Sequence, residues 1–132
     1  MKINIVLYWG ARLVAAIIML QTLYFKFTAS EESVYIFTTV GMEPWGRYGT
    51  GIAELIASVL LLVGATAWLG AALAFGLMAG AIMMHLTLLG IEIKGDGGQL
   101  FIYALSVLVC AAFILVKNKR EITATLQRAR QK

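Results

Sequence analysis

Gly49–Glu92 reads GTGIAELIASVLLLVGATAWLGAALAFGLMAGAIMMHLTLLGIE and decides the fold. It is two long apolar runs joined by a short uncharged turn, with one acid, Glu54, inside the first run and the chain's only histidine, His85, inside the second. Ionisable groups are expensive within hydrocarbon and persist there where they pair or work. Glu54 and His85 are therefore the leading functional candidates.

The rest of the 132-residue chain matches this reading: 61% of residues are hydrophobic and only 14% are charged. Mean hydropathy is +0.84, well outside the soluble range, so lipid is the expected solvent. The chain is short enough for one domain. Strand-like alternation is absent, which excludes a transmembrane barrel, and the expected class is an all-α integral membrane four-helix bundle.

Upstream, INIVLYWGARLVAAIIMLQTLYF from Ile3 to Phe25 is long enough to cross a bilayer. It carries Arg12 near its middle and ends on Lys26 without a small-residue cleavage site, so it reads as a retained span rather than a signal peptide. Arg12 and Lys26 fall within roughly 40° of each other around the helix. Downstream, Gln99, Tyr103, Ser106, Cys110 and Phe113 recur at helical spacing and form a mildly polar stripe expected to face the bundle interior. The expected spans are residues 4–25, 46–68, 71–92 and 99–117, followed by a basic tail, 118–132. The second and third should meet at a turn around Gly70, with Gly64, Gly70, Gly76 and Gly80 permitting close helix approach.

Between the first two spans, Ser30 can cap a short amphipathic interfacial helix whose first turn holds Glu31 and Glu32, with Gly41 and Pro44 ending it. Glu43 should pair with Arg47 one turn on. This element is expected to lid the bundle.

Net charge is +4, with much of the excess in the tail after the last span. A basic run in that position binds anionic lipid and sets topology rather than marking a nucleic-acid protein. With four spans, Lys2 and the tail place both termini in the cytoplasm. Cys110 is the only cysteine, so no intramolecular disulfide or CxxC pair can form. One histidine and one acid are too few strong ligands for a metal site.

Helix length and orientation put Glu54 and His85 at a common level, roughly 8 to 12 Å below the external surface. Arg12 approaches from the other side and Lys26 sits at the rim, so Arg12 and Glu54 are expected to compensate each other. Arg12, Lys26, Glu54 and His85 form the expected ligand-binding or proton-handling set, with Tyr103 and Ser106 as further lining. No catalytic residue is assigned.

The order and spacing of these residues, with AR at 11 and 12, GIAELIASVLLLVG at 51–64 and MMHL at 83–86, resembles the DoxX-like family of small four-helix membrane proteins. The resemblance covers roughly Val6 to Val116, with Leu23 standing where many relatives have glycine. It implies a bundle in a bacterial cytoplasmic membrane. Some relatives are subunits of membrane oxidoreductase complexes that pass electrons to quinone.

Three functions follow as expectations. The first is a redox-associated subunit that binds a quinone-like or other small lipophilic ligand and receives electrons from a partner protein. The second is a non-enzymatic assembly factor for another membrane protein, and the third a small proton-coupled transporter. The chain brings no intrinsic cofactor in any of them. A homo-oligomer is compatible with all three.

Overall fold

The computed structural model describes residues 2–131; Met1 and Lys132, the last residue of the basic tail, lie outside it. Six α-helices account for most of the chain: α1 (Lys2–Phe27), α2 (Glu31–Thr39), α3 (Trp45–Leu62), α4 (Ala67–Met84), α5 (Gln99–Lys117) and α6 (Lys119–Arg130). Among the described residues there is no strand. α1 packs on α3 and α5, and α4 packs on the same two helices, so the four long helices form a closed ring.

Three segments are long and apolar enough to cross a membrane: Asn4–Phe27, Gly64–Leu89 and Gln99–Lys117. The 18-residue α3, which carries Arg47 and Glu54, is not among them. Large apolar side chains cover the outside, Val6, Val109 and Val116 being each about two-thirds exposed (68%, 67% and 70%). Water would penalise such a surface heavily, whereas acyl chains do not.

Small residues make up much of the interior. Ala15, Ala57, Ala71, Ala74 and Ala111 are fully buried, with Met19, Leu61, Val107 and Ile114 filling the space between them. Association in lipid relies on close packing of this kind, since apolar burial gains little there. At Gly70 the approach is closest: a Cβ would lie 2.7 Å from both the Ala57 carbonyl oxygen and the Leu61 nitrogen. By contrast, a Cβ at Gly64, Gly76 or Gly80 would meet nothing within 4 Å. Of the four expected packing glycines, Gly70 alone lies against another helix.

The turn between α3 and α4 also falls earlier than the sequence suggests, at residues 63–66, with Gly70 in the first turn of α4. Side chains end α3 by satisfying its last carbonyls. Thr66 Oγ1 donates to the Leu60 carbonyl at 3.0 Å and Arg12 Nε donates to the Leu61 carbonyl at 2.6 Å, while Val63 turns into extended backbone. A helix terminus leaves such carbonyls without internal partners, and these two side chains supply them.

The polar stripe on α5 lies beside the most buried face of the helix rather than on it, with Cys110 packed against the core. Ala104, Val107, Ala111 and Ile114 are its buried face, whereas Gln99 is exposed and Tyr103, Ser106, Cys110 and Phe113 are half-buried. Ser106 Oγ donates to its own helix, at the Ile102 carbonyl. Because the bundle is packed through alanine, the smallest face of α5 goes inward.

Candidate functional site

α2 forms as expected: Ser30 caps it by accepting from the Ser33 N–H at 3.2 Å, and Glu31 and Glu32 occupy its first turn. Ser33 and Phe37 are its buried side chains. The start of α3 is tied down by Arg47, which pairs with Glu43 at 2.8 Å and donates from Nη1 to the Lys26 carbonyl at the end of α1. Lys94, in the 91–98 loop, reaches Glu31 at 3.1 Å and lies over the Tyr35 ring.

Beneath α2 is a cavity of about 740 Å³. Lys26, Glu54, His85 and Tyr103 line it, together with Thr22 and Gln99, and Met19, Phe37 and Met78 contribute to its apolar wall. Residues from all of α1 to α5 therefore meet here.

Glu54 is 3% exposed. Its Oε2 accepts from Lys26 Nζ at 3.1 Å and from Thr22 Oγ1 at 3.2 Å, and Lys26 and Thr22 reach it together because they sit one turn apart on α1. The Thr22 hydroxyl carries one proton and also lies 2.9 Å from the Met19 carbonyl, so the two acceptors share it. Oε1 of Glu54 has no hydrogen-bond partner among the described residues.

His85 begins a single π-helical turn, His85–Leu89. Gly90 clasps it from both sides, donating its N–H to the His85 carbonyl at 2.7 Å and accepting from His85 Nδ1 at 2.9 Å. The wider i→i+5 turn is uncommon and concentrates at functional positions. Gly90 has φ +80°, a value that favours glycine. With Nδ1–H given to a carbonyl, the neutral imidazole keeps Nε2 as an acceptor. The Phe101 ring stands steeply inclined to the imidazole, at 71°, with the ring centres 5.5 Å apart.

Arg12 lies elsewhere. It does not line the cavity and does not pair with Glu54, whose cationic partner is Lys26. Its guanidinium sits 3.8 Å above the Trp9 ring and caps the end of α3. Leu61 is two turns beyond Glu54, roughly 10 Å along the helix, which separates Arg12 from the carboxylate. The partial negative charge at that helix end holds the cation instead. Ser106 is likewise outside the cavity. Thr22 went unmarked in the sequence, although its position one turn before Lys26 was a usable signal.

Chemically, the cavity offers the buried Glu54 carboxylate, the Lys26 ammonium and the His85 imidazole beside an apolar wall, with the Glu31 and Glu32 carboxylates of α2 also on its lining and Tyr103 Oη accepting from Gln99 Nε2 at 2.8 Å. Among the described residues no three His, Cys, Asp or Glu side chains are grouped to hold a metal. No curated protein and no solved structure matches the chain. The sequence model of the DoxX family matches residues 8–87, which takes in Lys26, Glu54 and His85 and more than half of the chain, and the protein belongs to the DoxX family.

Proposed function

We propose that this DoxX-family membrane protein holds a quinone-like or other small lipophilic molecule in the cavity beneath α2, as a redox-associated subunit. The observation that carries this reading is the composition of the cavity. A space of about 740 Å³ lies in the range of small-molecule sites, roughly 300–1,000 Å³, and its lining sets Lys26, Glu54 and His85 beside an apolar wall that includes Met19, Phe37 and Met78.

A bound quinone supplies a carbonyl that takes up electrons and protons, the electrons coming from a partner protein. The chain's own groups bind and orient it. Lys26 Nζ has protons beyond the one given to Glu54 and can donate to the ligand oxygen. His85 Nε2 can accept a proton from a ligand hydroxyl, while Gly90 keeps the ring in place. Glu54 holds Lys26 and, through Oε1, offers a second acceptor. In this reading α3 is the fourth span, its 18 residues reaching about 27 Å. Both termini then face the cytoplasm of a bacterial cell.

Mass spectrometry of lipids extracted from the gently purified protein should reveal a retained lipophile. Titration with a short-chain benzoquinone should then be saturable, with affinity about tenfold weaker in Glu54→Gln and His85→Ala, the worth of one good hydrogen bond. No retained lipophile and no saturable titration would overturn the proposal.

A further inference from the structure

We propose that α6 is a membrane-surface helix that docks on anionic phospholipid headgroups where α5 leaves the bundle. The α5–α6 segment from Lys117 to Gln131 carries Lys117, Lys119, Arg120, Arg128 and Arg130 against Glu121 alone, an excess as large as the +4 of the whole chain. None of the α6 residues is buried in the protein. Ile122, Leu126 and Ala129 follow at spacings of four and three and share a face within roughly 60°. Lys119 and Arg130 border that stripe on one side, roughly 60–80° from Ile122. An apolar stripe flanked by cations lies in the headgroup plane, its apolar side toward the acyl chains.

Position supports the same occupant. α5 is one of the segments apolar enough to span a bilayer, so its end at Lys117 marks a membrane surface, and α6 begins two residues later. Asn118 separates the two helices: its Nδ2 donates to Tyr8 Oη at 2.8 Å and to the Ile114 carbonyl at 2.8 Å, and its backbone leaves the helical region at φ −101°, ψ 16°. The junction from which α6 starts is thereby tied to Tyr8 of α1. The opposite end of the bundle carries Glu31, Glu32, Glu43, Glu92 and Asp96 against Lys26, Arg47 and Lys94, a net of −2, so the two ends differ in sign and only the α6 end is attracted to an anionic leaflet.

The test uses the full chain with Cys110→Ser and a spin label at Leu126→Cys, reconstituted in nanodiscs. In discs containing phosphatidylglycerol, the label should lose accessibility to a water-soluble relaxant and gain it to oxygen, relative to discs of phosphatidylcholine alone. A label at Gln127→Cys, roughly 140° from Ile122, should stay water-accessible in both. Replacing Lys119, Arg120, Arg128 and Arg130 with glutamine should abolish the shift at 126. A label at 126 that is water-exposed in both discs, as expected if the basic face serves an acidic protein or RNA, overturns the proposal. So does one that is equally immersed in both.

Discussion

Lys26 Nζ of α1 lies 3.1 Å from Glu54 Oε2 of α3, with side-chain exposures of 14% and 4%. The pair joins two helices at the wall of the cavity. Removing one member leaves the other buried and unmatched, which costs about 3–5 kcal/mol, whereas replacing both with apolar groups is often neutral. Glu54→Leu and Lys26→Met should each lower the thermal unfolding temperature of the purified protein sharply. The double variant should recover most of the loss. A double variant as unstable as the sum of its parts would show that the two residues act separately.

Gly70 and Gly80 test the packing argument against each other. Gly70→Ala drives a Cβ to within 2.7 Å of the Ala57 and Leu61 backbone, which cannot move aside as a side chain would. A loss of about 1–3 kcal/mol is expected from overpacking. Gly80→Ala meets nothing within 4 Å and should be neutral or slightly stabilising, by up to about 1 kcal/mol of helix propensity. Chemical or thermal unfolding in detergent would read both.

Gly90→Ala should cost about 1–3 kcal/mol, because alanine tolerates φ +80° poorly. Its more specific effect is on His85, whose Nδ1 loses its carbonyl partner as the turn relaxes. NMR of a ¹⁵N-histidine-labelled sample should show the tautomer of the single imidazole change in the variant. An unchanged tautomer would mean that Gly90 does not set it.

Asp96 gives a pH prediction outside the membrane. Partial burial pushes its carboxyl upward, but N–H groups of Ile93, Gly98 and Leu100, with a smaller contribution from His85, hold it below the usual aspartate value. The bonds from Ile93 and Gly98 are 2.9 and 2.8 Å, and that from Leu100, in the first turn of α5, is 3.2 Å. A depressed folded pKa stabilises above the unfolded value of about 3.9 and loses that contribution as pH falls through the folded one. Below about pH 4, the wild-type protein should therefore lose stability more steeply than Asp96→Asn, in melts compared from neutral to acid pH.

Much of this was legible in order and composition. Ser30, Glu31 and Glu32 announce α2, and Glu43 and Arg47 announce their pair, because caps and one-turn ion pairs depend on neighbours in the chain. Glu54, His85 and Lys26 stood out because charge in an apolar run is conspicuous. The Arg12–Glu54 pairing failed where the chain offered no distance. Arg12 had a competing partner in the Leu61 carbonyl, and a backbone acceptor at a helix end leaves no mark in a residue list.

Sequence alone determined that this is a helical membrane protein with an acid, a lysine and a histidine set into apolar helices, since hydrophobicity and helical period are properties of consecutive residues. Tertiary structure decided which cation meets Glu54, that α5 turns its alanines inward, that Gly70 rather than Gly76 or Gly80 carries the helix contact, and that Gly90 clasps His85. Those outcomes depend on where α3 ends and how its neighbours pack on it, and side chains that reach carbonyls of distant segments, Arg12 at Leu61 and Arg47 at Lys26, help to settle both.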